Sequence, residues 1–418
     1  MIESLRNAWK IPDLRKRILF TFAMLLVFRA GSHIPVPGVN PAIMKEIIER
    51  GALFGFFDFV SGGAFRNFTI FAMSITPYIN ASIIMNLLTI VIPRLEQLAK
   101  EGEAGRKVLA QYTRYLTVIL AFIQAVGMSF GFRSAVINPN FTTISIITIT
   151  LTAGTAFLMW LGEQITDKGI GNGISLIIFA GIVSRIPGGI YRVIQLVRIG
   201  TTSVLAVGLF VIFAVIIIMG VVAIQQAQRK IPVQYAKRVV GRKMYGGQST
   251  HIPLRVNQAG VIPVIFAMSI LMFPSTIAGF FPQSKIMTTI AEFLRPGGTV
   301  YASLYAVLIV FFTYFYTAVT FNPHDVANNM KKYGGFIPGI RPGRPTALFL
   351  DRVLSRITLA GALFLAAIAV LPYALQNFTT LNVYFGGTAL LIVVGVALDT
   401  MKQIEAQMLL RHYEGFLK

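Results

Sequence analysis

Cysteine is absent from the 418 residues. That removes disulfides and thiolate metal sites, and it leaves the redox compartment unreadable. Charge is also scarce, at 13 % of residues, where a soluble domain carries about 25 %. Acidic residues are the rarest charges, 16 against 37 Lys and Arg, so the net charge is +21. An ionisable group inside an apolar run would be a functional hypothesis by default, and such groups are nearly missing. Glu163 and Asp399 fall at the ends of runs, and Asp58 falls in a short broken one. His33, His251, His324 and His412 are scattered without metal-ligand spacing. No phosphate loop, nucleophile elbow or paired-carboxylate motif occurs. Catalysis and ion-coupled transport therefore lack their usual parts, and neither a cofactor nor a metal site is expected.

What the chain has is apolar length: 55 % of its residues are hydrophobic. About ten runs approach the roughly 20 residues needed to cross a bilayer. They are Ile18–Pro37, Ile70–Ile92, Tyr115–Phe132, Phe141–Gly162, Ile174–Val193, Ser203–Ile224, Ala259–Phe281, Val300–Phe321, Ile357–Leu375 and Val383–Thr400. The expected fold is an all-α polytopic membrane protein. The N-terminus, MIESLRNAWKIPDLRKR, does not read as a cleavable signal, because the run after it is full length and lacks a small-residue cleavage site. The fifth run is the weakest, interrupted by Arg185, Pro187 and two glycines, and the first carries Arg29 near its far end, where the side chain could snorkel.

With ten spans, 27 of the 37 basic residues fall on the side of the N-terminus and nine on the other, with Arg29 inside the first run. Basic residues stay on the cytoplasmic side, so both termini are expected there. The excess cations sit in loops and call for an acidic partner: anionic lipid, nucleic acid or an acidic protein face. Two loops stand apart. Gln225–Asn257 holds seven basic residues and no acid, and turn residues at Gly241 and Gly246–Gly247 predict a hairpin-like projection. Asn322–Arg356 holds six basic residues against Asp325 and Asp351. Its GGFIPGIRPGRPT stretch reads as turns rather than helix.

The chain is organised around Leu53–Ile92. Its second half is charge-free and long enough to span. Its first half is bounded by Asp58 and Arg66 and broken by Ser61, Gly62 and Gly63. A piece so short cannot span, and in lipid its backbone groups would have no partners. It reads either as a re-entrant segment enclosed by protein or as an outside loop lying on the membrane surface.

Seven stretches, in order along nearly the whole chain, resemble the SecY family, the pore subunits of the bacterial Sec translocon. They are FRAGSHIPVPG at Phe28–Gly38, FDFVSGGAFRNFTIFAMSITPYINASII at Phe57–Ile84 and DKGIGNGISLIIFAGIVSRIP at Asp167–Pro187. The others are QRKIPVQYAKR at Gln228–Arg238, QSTHIPLRVNQAGVIPVIFA at Gln248–Ala267, PGIRPGRPT at Pro338–Thr346 and YFGGTALLIVV at Tyr384–Val394. The resemblance implies a non-enzymatic, protein-conducting channel in the bacterial cytoplasmic membrane. It would be built from two pseudosymmetric halves, residues 1–200 and 201–418, around an hourglass pore.

Residue by residue, the resemblance implies a pore ring of Ile75, Ile79, Ile174, Ile178, Ile265 and Ile392. It makes residues 54–67 the plug, including Phe57, Phe59, Ser61, Gly62, Gly63 and Arg66. A lateral gate would open between spans two and three and spans seven and eight, with Asn80, Gln124 and Asn257 as its polar residues. Arg238, Arg242, Lys243, Arg255, Arg341 and Arg344 would receive the motor SecA or the ribosomal RNA of a translating ribosome. SecE and SecG are the implied companion subunits. Signal peptides and unfolded secretory or membrane proteins are the implied cargo. A small-solute transporter would also fit inverted halves and broken helices; the lack of a buried cation site argues against it.

Overall fold

The computed structural model describes residues 6, 8–50, 58, 61–201, 203–235, 238–240, 243–245, 249–280, 289, 292–294, 298–376 and 387–415. Helix α1 (Pro12–Gly31) opens on a proline, whose missing N–H costs nothing at a first turn. It ends six residues before the expected Pro37, since Pro35 and Pro37 cannot prolong it. Residues 34–36 instead meet 68–70: Val36 N–H donates to Phe68 O at 2.9 Å and Ile70 N–H to Ile34 O at 3.0 Å. The amphipathic α2 (Pro41–Arg50) follows.

The second span differs from its expectation. Helix α3 begins at Thr76, not Ile70, and runs to Val91. Pro77 disfavours helix in the residues before it, and Ser74, at φ 52°, is already left-handed. Pro93 then turns the chain into α4 (Pro93–Lys100), bent by 101° from α3. The N-terminal half continues with α5 (Glu103–Gly131), α6 (Phe141–Lys168), α7 (Gly173–Val183) and α8 (Ile186–Arg198). Helix α6 is its axis. Ile147, Leu151, Leu158, Leu161 and Ile165 recur at intervals of three, four and seven residues and are all buried. Gly154 and Gly162 lie on the same face, letting the Ile70 carbonyl and the Ile174 side chain come close.

The second half comprises α9 (Val204–Gln226), strands β1 (Gln228–Tyr235), β2 (Arg238–Val240), β3 (Lys243–Tyr245) and β4 (Ser249–Arg255), then α10 (Ile262–Phe280) and α11 (Thr299–Thr320). Next come α12 (Pro323–Lys332), β5 (Gly335–Phe336), α13 (Arg344–Gln376) and α14 (Gly387–Gly415). Among the described residues, seven helices are long and apolar enough to cross a membrane, and the bent α3–α4 pair makes an eighth. The remaining two expected spans are helices as well. Helix α1 carries Asp13, Arg15, Lys16, Arg17 and Arg29, and α10 has a shorter apolar stretch, Ile262–Met272. Along α9 the side chains of Leu205, Leu209, Ile212, Ile216 and Met219 are exposed, as lipid-facing positions should be.

The first basic loop is a hairpin, as its turn residues predict: β1 pairs antiparallel with β4 and β2 with β3. The second is less turn-like than expected. Its flanks are helical, α12 capped by Asn322 Oδ1 accepting from His324 N–H at 3.0 Å, and α13 starting at Arg344 rather than Ile357. Only the Gly- and Pro-rich centre keeps turns. The loops are not separate projections. Strand β5 adds to β1, with Gln234 opposite Phe336 and Tyr235 opposite Gly335. Ile231, Val233, Leu254, Met330, Ile337 and Leu350 close a small shared core.

Two seams join the halves. On one, α10 packs against α3 and α5; on the other, α14 packs against α7. Just before α7, Thr21 Oγ1 accepts from Ile170 N–H at 3.0 Å and Gln403 Oε1 accepts from Gly171 N–H at 2.9 Å.

Candidate functional site

The segment from Ser61 to Ile75 is neither helix nor strand, and it is buried. Ser61, Ala64, Phe65, Phe68, Thr69, Phe71, Ala72, Met73, Ser74 and Ile75 are each at most 6 % exposed. This fits the enclosed reading and not a loop resting on the membrane. Irregular backbone at this depth must find its hydrogen bonds within the protein, and it does. Gly63 N–H reaches Asp58 O at 2.9 Å, Thr69 N–H reaches Ala64 O at 2.9 Å, and Ala72 N–H reaches Thr69 O at 2.8 Å. Phe68 at φ 43° and Ser74 at φ 52° adopt the left-handed region without being glycine. That conformation is uncommon and costs about 1–2 kcal/mol each.

Asp58 organises the turn. Its Oδ1 accepts from Arg66 N–H at 2.7 Å, its carbonyl accepts from Ser61 Oγ at 3.2 Å, and its Oδ2 pairs with the Arg185 guanidinium. Arg29 Nη1 donates to Gly62 O at 3.0 Å. The two arginines expected to interrupt or snorkel from spans one and five thus turn inward onto one loop. Gly62, at φ 66°, lies so close to span five that a Cβ there would stand 2.7 Å from Gly181 Cα.

The six isoleucines share the largest apolar core of the described residues. Ile75, Ile79, Ile178, Ile265 and Ile392 lie in one buried apolar cluster with Ala64 of the turn, and the half-buried Ile174 packs against it. Their placement is less regular than same-face spacing suggests. Ile75 is the residue before α3, its carbonyl accepting from Ile79 N–H at 3.0 Å, so the pair closes the first turn of that helix. Ile174 leans on Gly162, where a Cβ would meet its Cδ1 at 2.6 Å. Ile265 and Ile392 occupy early turns of α10 and α14.

Of the gate residues, Asn80 on α3 and Asn257 before α10 are buried, and Asn257 Nδ2 donates to Gly260 O at 3.0 Å; Gln124 on α5 is half-buried. Asn80 and Gln124 are carried by α3 and α5, the two helices that pack against α10. Arg255, Arg341 and Arg344 are exposed on the two joined basic loops, and Arg238 and Lys243 begin β2 and β3. Phe57, Phe59 and Arg242 lie outside the described residues. Sequence reasoning missed the Asp58–Arg185 pair. The available signal was an acid and a base of opposite sign, each alone in an apolar stretch.

The family model described as SecY matches residues 69–401. The chain belongs to the SecY family. It is similar to the protein translocase subunit SecY of Halalkalibacterium halodurans, 51 % identical over 435 aligned positions that cover 100 % of each chain. Among solved structures, it is similar to a SecY whose plug domain is described as stabilising the closed state of the translocation channel (TM-score 0.69, 19 % identity, covering 94 % of this chain and 92 % of the other). It is also similar to Sec61 in the canine ribosome–channel complex from the endoplasmic reticulum (TM-score 0.66, 18 % identity, covering 94 % and 92 %). At such identities the two structures establish the fold. Like its relatives, this SecY-family chain is a multi-pass membrane protein of a channel family and not of an enzyme family.

Proposed function

We propose that this chain is the pore of a protein-conducting channel. It passes unfolded secretory polypeptides across the bacterial cytoplasmic membrane and releases apolar segments sideways into lipid. Motive force comes from outside, from SecA or a translating ribosome. The observation that supports this reading is that five of the six isoleucines, from spans two, five, seven and ten, share one buried apolar core with Ala64 while the half-buried Ile174 packs against it. Branched apolar side chains closing a narrow neck exclude water and ions. They yield to a passing chain without binding any particular residue, whereas a polar ring would form sequence-dependent hydrogen bonds.

In this reading, residues 54–67 plug the neck from the outer side. Residues 1–200 and 201–418 are the two halves of a clamp. The seam of α3 and α5 against α10 is the lateral gate, where Asn80, Gln124 and Asn257 sit. The joined basic loops face the cytoplasm with both termini. There Arg255, Arg341 and Arg344, with Arg238, Arg242 and Lys243, offer a cationic surface to SecA or to the polyanionic ribosomal RNA. SecE and SecG complete the channel, and anionic lipid meets the remaining cations.

A photo-crosslinking residue tests this. Placed at Ile79 or at Ile392, it is expected to capture a stalled secretory chain; placed at Ile212, which is 59 % exposed on α9, it is not. Capture at Ile212 with none at the isoleucines would refute the assignment.

A further inference from the structure

Part of what holds the turn around Asp58 and residues 61–66 in place is undirected. Ala64 rests in the apolar cluster and Phe65 in a second one. Such contacts set no unique seat, since they trade readily for others of similar area. The directed contacts that reach the turn from spans one and five are different in kind. The Asp58 carboxylate, 5 % exposed, meets the Arg185 guanidinium across 127 residues of sequence, and Arg29 holds the Gly62 carbonyl.

Several features of the chain serve that first contact. Pro187 ends the regular run of span five, and Arg185 lies in the break between α7 and α8, free to reach inward. Gly63 supplies room: a Cβ there would stand 3.3 Å from Arg185 Nη2. The other carboxylate oxygen of Asp58 is occupied by Arg66 N–H, which fixes the direction in which Oδ2 points. A buried carboxylate without its cation is costly, so the turn cannot leave its seat without first replacing Arg185. The Arg185 side chain is 29 % exposed, and partial solvation keeps the pair weak enough to break.

We infer that Arg185, seconded by Arg29, is the positioning residue that seats this turn, and that the Asp58–Arg185 pair is the contact a translocating chain must break to clear the neck. The inference rests on the reading of the turn as a plug. The absence of native cysteine makes a clean test possible in the assembled channel in membranes. Ala64→Cys, at a position 0 % exposed and carrying no side-chain hydrogen bond, reports unseating to a membrane-impermeant thiol reagent added from the outer side.

Arg185→Gln is expected to speed labelling about tenfold, as loss of one partly buried charge partner should. Asp58→Asn should do the same, and the double variant should go no further, because both remove one coupled contact. Arg192→Gln, exposed on α8, is the control and leaves the rate unchanged. Equal labelling of Arg185→Gln and its parent, or additive effects in the double variant, would overturn the inference. Deleting Phe57–Arg66 separates the two levels in bilayer recordings. A leaking deletion with unchanged Arg185→Gln labelling removes only the positioning role; a silent deletion removes the plug reading, and the inference with it.

Discussion

The buried turn before α3 and the strand module of β1 to β5 both leave the helical pattern, and they satisfy their backbone in opposite ways. The module uses a repeating ladder, seven residue pairs between β1 and β4, and water meets whatever the ladder leaves open. The turn has no ladder beyond the single pairing of Pro35 with Thr69. It relies on short local bonds, two left-handed non-glycine residues and arginines from spans one and five. In the absence of water, each orphan group costs several kcal/mol, so the turn is specified atom by atom. The module is specified by register and by a small apolar core.

This contrast can be broken in graded steps. The largest effect is expected at Gly62. Its φ of 66° already disfavours a side chain, and the added Cβ would stand 2.7 Å from Gly181 Cα. Gly62→Val should destabilise the chain by about 3 kcal/mol, read as a lower thermal unfolding midpoint in detergent. An unchanged midpoint would mean that the turn is not held against span five.

Next is Leu350, 0 % exposed in the core that joins the two loops. Leu350→Ala should cost about 2–4 kcal/mol locally. It should open both β4 and the Gly335–Phe336 strand to limited proteolysis together. Cleavage confined to one loop would show that the two loops are independent.

The smallest effect is expected at Gly339 in the same region. Its φ of 81° matches the handedness at Gly62, but nothing lies within 4 Å of the place a Cβ would occupy. Gly339→Ala should cost about 1 kcal/mol, the conformational term alone. If Gly339→Ala and Gly62→Val shifted the unfolding midpoint equally, close packing of the turn would not be what sets it apart.

Much of the fold was legible beforehand. The apolar runs mark the helices, and the glycines near 241 and 246 mark a hairpin. The shift of span two from Ile70 to Thr76 was not legible, because Ile70–Ile75 is as apolar as a helix would be. Hydropathy reports burial, and these residues are buried, but it does not report which backbone groups they bond. The inward turn of Arg29 and Arg185 was hidden for a related reason. A basic residue near a span end reads the same whether its head meets water or a carboxylate 127 residues away.

What the amino-acid order determined unaided is the partition of the chain into apolar spans and charged loops, together with the charge bias from which a sidedness is expected. Both follow from sums over neighbouring residues, each contributing its own transfer energy and charge. What only the tertiary structure decided is which polar groups meet: Asp58 with Arg185, Arg29 with Gly62, β1 with β5. Such pairings depend on distances between residues far apart in the chain, and packing alone sets those distances.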